Sequence, residues 1–253
     1  MGDRFMLFRM MCKEVARGHG YEATFMPKPW SDKTGGGAHF NMSLASAETG
    51  ANLFEPEGED QYGCGISPLG YQFIAGILRH AAAIVAVTAP TVNSYKRLIK
   101  RGAMSGSTWA PVFISYGRNN RTHMLRVPTK SPRVESRAVD ASVNAYLGAA
   151  MVLAAGLEAI DEGADPGPPI DLDMYVQRDA KLLVNRRQHV VDVDRAVLRH
   201  VAAACTTAHD HSRLDAATCK HHGEHIGPVV ATRFRVNLRR SPELAQNRDE
   251  RCV

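Results

Sequence analysis

Arg133, Glu135 and Arg137 stand two residues apart in "RVESR", so in an extended strand they share one face. Two guanidiniums flanking a carboxylate can hold a metal-bound polyphosphate. The arginines fork onto phosphate oxygens, and the carboxylate takes a hard divalent cation. An exposed strand of alternating charge has the same spacing. The surroundings shift the balance towards a site. "NSYKRL" supplies Lys96 and Arg97, "GRNNRTHMLRVP" supplies Arg118, Arg121 and Arg126, and Lys130 follows. Several converging arginines need an anion to offset their repulsion.

A second set lies in "TGGGAHFNMSL", residues 34–44. Read as a strand, it puts Ala38, Phe40, Met42 and Leu44 on an apolar face and His39, Asn41 and Ser43 on a polar one. The three glycines remove side-chain bulk where the strand begins, so a ligand or another backbone can come close. A lone histidine on a strand is more often a hydrogen-bonded structural residue than a ligand.

Other chemistries fit less well. The sequence has no glycine-rich loop ending in Gly-Lys-Ser/Thr, so a Walker-type phosphate cradle is not the route. "HHGEH" places His221, Glu224 and His225 in the spacing of an inverted zinc-protease signature. Gly223 interrupts it, and no helical apolar face surrounds it, so it reads as a chance motif in a histidine-rich tail. The five cysteines are scattered, without a CxxC pair, and read as reduced thiols. The net charge of +5 admits anionic partners. The basic residues do not interleave with aromatics as nucleic-acid stacking platforms do, so no nucleic acid is expected. No apolar run is long enough to span a bilayer, and charges break up the first twenty residues, so no membrane and a cytoplasmic location are expected.

These residues need elements to position them. An amphipathic helix is predicted over 3–18, with Phe5, Phe8, Cys12 and Val15 on its apolar face. A strand follows at 37–45, then a turn-rich, exposed stretch at 46–60. A long helix is predicted over 67–87, opened by Ser67-Pro68. "TVNSYKRL" is a loop or short helix. "PVFISYG", "RTHMLRVP" and "RVESRAV" are strands. Asp140 is a candidate cap for a helix through "ASVNAYLGAAMVLAAGLEAI", and "EGADPGPPIDLD" follows as a linker. Residues 1–174 thus form one domain. Residues 175–253 are a divergent Arg/His-rich tail with weak apolar periodicity, expected to be poorly packed or disordered.

In combination, "ATFMPKP", "GGGAHFNMSL", "NSYKRL", "NNRTHMLRVP", "RVESR" and "NAYLGAAMVLAAGLEAI" resemble the C-terminal catalytic part of the glutamine synthetase family, over about residues 3–174. The wording is most similar to the glutamine-synthetase-like branch first described in rhizobia. The resemblance implies an α/β (α+β) fold, a curved antiparallel sheet with helices on its outer face, of the glutamine synthetase and guanido kinase type. It implies an ATP-dependent ligase using Mg2+ or Mn2+ that phosphorylates the side-chain carboxylate of glutamate and lets ammonia or a small amine displace the phosphate.

By the same resemblance, His39 and Glu135 match metal ligands. Arg126, Arg133 and Lys130 match residues that hold ATP phosphates, and Ser43 matches a nucleotide contact. Arg121 matches the arginine that stabilises the transferring phosphoryl group. Arg97, Arg137 and Gly35 match glutamate contacts. Three departures stand out. The family's β-grasp domain and further glutamate ligands, which lie upstream, have no counterpart here. Trp109 stands where a glutamate usually helps take the proton from ammonium, so the acceptor need not be ammonia and a small alkylamine is open, and Asn41 replaces a common second histidine. The tail does not resemble the family's last helices. The first departure leaves a cationic half-site, so an inactive truncated remnant or a non-catalytic subunit is the alternative. Family members form homo-oligomeric rings, and this chain alone is expected not to build one.

Overall fold

The computed structural model describes residues 1–99 and 110–175, together with the backbone of two later strands. In chain order the elements are α1 (Gly2–Gly18), β1 (Tyr21–Thr24), β2 (His39–Ser46), α2 (Pro68–Arg79), α3 (Ala81–Thr88) and α4 (Val92–Arg97). After these come β3 (Tyr116–Arg118), β4 (Leu125–Val127), β5 (Val134–Ser136), α5 (Ala145–Asp161), β6 (Ile226–Arg233) and β7 (Asn237–Arg240). Five strands form one sheet in the order β3-β4-β5-β2-β6, and β1 pairs with β7. The sheet and its helices make the α/β class expected from sequence. One pair departs from the antiparallel expectation: β3 runs parallel to β4. The strands are only three residues long, so the short connection between them can return to the starting end without the long crossover that parallel pairs usually need.

β2 follows its sequence pattern. Phe40, Met42 and Leu44 are buried, while His39, Asn41 and Ser43 on the other face are partly open. The buried face packs into a core shared with α2, α3 and α5. α2 and α5 lie close because both carry glycine at the contact. A Cβ on Gly76 would sit 1.9 Å from the Ala155 carbonyl oxygen, and one on Gly156 would sit 2.2 Å from the Phe73 ring.

Several sequence expectations change. The helix predicted over 67–87 is two helices, α2 and α3, bent by 75°. The joint is His80, which is buried and reaches Glu158 on α5 with its Nε2 at 2.9 Å. Ser67 does open α2, its side chain accepting from the Gly70 N–H at 3.2 Å. Asp140 is not the cap of α5. Asn144 is, accepting from the N–H groups of Tyr146 and Leu147, while Asp140 accepts from Ser142. The stretch 46–60 is not wholly exposed: Phe54 is completely buried, its ring 5.4 Å from that of Phe73. On α1 the core-facing stripe runs through Phe5, Phe8, Cys12 and Ala16. Val15 is more than half exposed, as are Leu7, Met10 and Met11, which form a second apolar ridge facing solvent.

The tail falls mostly outside the described residues. Its described parts are β6, antiparallel to β2 along the whole of that strand, and β7, antiparallel to β1. Trp109 and the "HHGEH" motif lie outside the described residues. Among the described residues no single helix is long and apolar enough to cross a membrane.

Candidate functional site

Strand register assembles the site. Asn41 of β2 lies directly opposite Glu135 of β5, and Glu135 lies opposite Arg126 of β4. Residues paired this way share a sheet face, so one row crosses three strands. Arg133 and Arg137 flank β5 with the same two-residue period, and His39 sits two residues from Asn41. The two polar clusters read from sequence are therefore one cluster.

Glu135 is its centre. Only 5% of the residue is exposed. Arg126 Nη1 donates to Oε2 at 2.5 Å, and Arg137 Nη1 donates to Oε1 at 2.7 Å. His39 Nδ1 is 3.0 Å from Oε1. Burial by itself raises the carboxyl's pKa. The His39 hydrogen bond, the Arg137 charge and the Arg126 hydrogen bond outweigh it and hold the group down to about 2. Burial also pulls the His39 imidazole below its usual range, and Arg137 and Arg97 add to that, against the Glu135 hydrogen bond. A neutral ring donating from Nδ1 to Glu135 fits this geometry and leaves the Nε2 lone pair free.

The other arginines are fixed around this centre. Arg126 Nη2 donates to Asn119 Oδ1 at 2.5 Å. Arg133 Nε donates to Asn41 Oδ1 at 3.0 Å. Arg137 Nε donates to the carbonyl of Arg121 at 3.0 Å. Burial lowers the Arg137 guanidinium even though Glu135 supports its charge. Arg97 is buried, and both its arms reach backbone: Nη1 to the Ala138 carbonyl at 3.0 Å and Nη2 to the Arg137 carbonyl at 2.8 Å. Burial pulls it down to about 10. In this arrangement Arg97 braces the exit of β5.

The glycines work by close approach. A Cβ on Gly35 would lie 2.6 Å from the Pro27 carbonyl oxygen and 3.4 Å from Arg97 Cγ. A Cβ on Gly37 would lie 2.8 Å from Arg97 Nη2 and 2.9 Å from His39 Nε2. Gly37 is thus what leaves the free nitrogen of His39 uncovered. Ser43 is half-buried further along the polar face of β2. Arg121 and Lys130 are exposed, on the turns before β4 and after it.

Sequence reading passed over Asn119. It is the one non-glycine residue with positive φ (52°) among the described residues, and its amide oxygen orients Arg126. The Asn-Asn pair at 119–120 carried that signal, since asparagine tolerates the left-handed region in turns.

A divalent cation of the magnesium type asks for about six oxygen donors. Among the described residues no three His, Cys, Asp or Glu side chains converge. Both Glu135 oxygens are already held by cations and His39. The described residues do not by themselves fit such an ion.

Residues 1–204 match the family model for the glutamine synthetase catalytic domain. The chain belongs to the glutamine synthetase family. The match runs past residue 174. Glutamate–methylamine ligase of Methyloversatilis universalis is 43% identical over 180 residues, 71% of this chain and 40% of that protein. Glutamine synthetase of Rhizobium leguminosarum bv. phaseoli is 45% identical over 175 residues, 69% of this chain and 39% of that protein. The chain therefore spans about two fifths of the length of these glutamine synthetase family relatives. The solved GmaS/ADP complex, conformation 1, superposes with a TM-score of 0.66 at 40% identity, covering 85% of this chain and 52% of that one. Apo GmaS gives 0.68 at the same identity.

Proposed function

We propose that this chain carries the phosphate- and glutamate-gripping half of a cytoplasmic ATP-dependent ligase. The ligase joins the side-chain carboxylate of glutamate to ammonia or a small amine. The observation that carries this reading is the convergence of Arg126, Arg133 and Arg137 around Glu135 and His39 in a chain of the glutamine synthetase family. In the reaction the glutamate carboxylate attacks the terminal phosphorus of ATP and ADP leaves. The amine nitrogen then displaces phosphate from the acyl carbon and loses a proton.

Phosphoryl transfer of this kind is mostly positioning and charge neutralisation. Arg126 and Arg133 have roles on the ATP phosphates, with Lys130 beside them and Ser43 towards the nucleotide. The exposed Arg121 faces the transferring group. Arg137, with Gly35 and Arg97 setting the floor, holds glutamate. His39 and Glu135 offer two donors at most, so any metal in the reaction takes the rest of its shell from outside the described residues.

Relatedness does not select the amine, because the methylamine ligase and the glutamine synthetases match almost equally well. A second reading rests on Glu135, the one carboxylate of the cluster among the described residues, being fully committed to its own cations and His39. On that reading the chain is a non-catalytic subunit or an inactive remnant. The test is ATP-dependent γ-glutamyl transfer with ammonia and methylamine in turn, with Arg121→Ala as control. Turnover that the variant loses supports the ligase. No turnover with either amine, together with co-purification with a complete relative, supports the second reading.

A further inference from the structure

A second cavity lies apart from the arginine cluster and shares none of its residues. It measures about 890 Å³ and is walled on one side by α1 and β1 and on the other by the start of α4 and Ser142. We propose that it binds a small polyanion, a molecule with two or more phosphate or carboxylate groups on a partly apolar body.

Among the described residues three cations line it: Arg9, Lys13 and Arg17. Their four-residue spacing puts them on one face of α1, over a span of about 12 Å. Among the described residues Glu22 is the one acid in the lining, and Glu14 offsets Arg17, so the wall is still positive on balance. One of the cations is held in place and another is paired at the surface. The Arg9 guanidinium lies 5.6 Å from the ring centroids of both Phe5 and Phe25. Arg17 is 3.2 Å from Glu14. Lys13 is exposed and reaches freely.

The opposing wall is hydrogen-bonded into the backbone. Asn93 is tied to the backbone of Lys28 at 2.6 and 2.8 Å, and the Thr91 side chain caps α4. A solvated charged face has no need of an opposing wall. Tyr21, Phe25 and Met26 add apolar surface beside the charges. The volume lies within the usual range of small-molecule sites.

The test is isothermal titration of the whole chain in chelator-containing buffer with inorganic tripolyphosphate, citrate and ADP as separate probes. The first two distinguish phosphate from carboxylate chemistry, and ADP reports on the apolar body. Lys13→Glu, at an exposed position that leaves the fold intact, is expected to weaken the preferred probe at least tenfold. Arg9→Gln/Lys13→Gln/Arg17→Gln is expected to abolish binding at this cavity. Arg126→Gln/Arg133→Gln removes the proposed ATP-phosphate grip elsewhere and is expected to leave this binding intact, which separates the two sites. Unchanged affinity in Lys13→Glu, binding lost only in the Arg126/Arg133 variant, or no binding of any probe would each overturn the proposal.

Discussion

Arg126 and Glu135 face each other across β4 and β5, and their side chains meet at 2.5 Å. The same carboxylate also receives Arg137 and His39. Removing one partner of such a buried set leaves the others uncompensated. Glu135→Gln is expected to cost about 3 kcal/mol or more, read as a drop in the urea midpoint with an unchanged slope. Acid produces the same loss in the parent. Because the folded carboxyl is held down to about 2 against its ordinary 4.5, its contribution is complete above about 4.5. It disappears as the pH falls towards 2.

His123 titrates against stability in a different window. It is fully buried, with Nδ1 2.8 Å from Ser115 Oγ, and burial lowers it to about 4 from 6.5. The unfolded chain therefore binds a proton between those values that the folded chain refuses. Stability falls as pH drops from about 6.5 to about 4, by up to about 3 kcal/mol from this group. Chemical denaturation at pH 7, 5.5 and 4.5 measures the slope, and His123→Gln should flatten it.

Alanine usually stabilises a helix relative to glycine. Gly76→Ala is expected to do the opposite. The added methyl group would meet the Ala155 backbone, and α5 cannot yield without moving the core. A loss of about 3 kcal/mol is expected, against a change within about 0.5 kcal/mol for Gly18→Ala, whose Cβ would meet nothing within 4 Å. Thermal melts of the two variants side by side decide it.

Arg121→Ala and Gly37→Ala separate chemistry from folding. Arg121 is exposed, so its loss should leave stability within about 0.5 kcal/mol while γ-glutamyl transfer falls at least a hundredfold. Gly37→Ala pushes a methyl group between Arg97 and His39. It should lower both transfer and stability. Turnover assays paired with melts on the same preparations distinguish the two patterns.

The polar and apolar faces of β2 were legible because a two-residue period allows one assignment once Phe40, Met42 and Leu44 are seen to be buried. The family was legible from motif order. The resemblance put His39 and Glu135 on one metal, but their direct contact at 3.0 Å was not legible, because it depends on the register between β2 and β5, which no local pattern encodes. The break at His80 was also hidden. "HAAAIVAVT" continues a helical pattern without proline or glycine, and only the carboxylate of Glu158, on a distant helix, marks the joint. The cap of α5 was misplaced by four residues, since Asp140 and Asn144 are equally suited by type and tertiary contacts chose between them. The bonding of Arg97 was hidden for the same reason: its partners are the backbone carbonyls of Ala138 and Arg137, which sequence does not label.

The second ridge of α1 gives the molecule a chemical clock. Met10 and Met11 on this ridge are 62% and 56% exposed, Met1 and Met6 beside it 39% and 40%, and Met26 after β1 48%, whereas Met42, Met124, Met151 and Met174 are all within 4% of complete burial. An oxidant reaches the first group long before the second. Sulfoxide therefore accumulates on α1 and at Met26 while the described interior methionines stay reduced, and the ratio of the two records exposure to peroxide in a form that mass spectrometry reads directly.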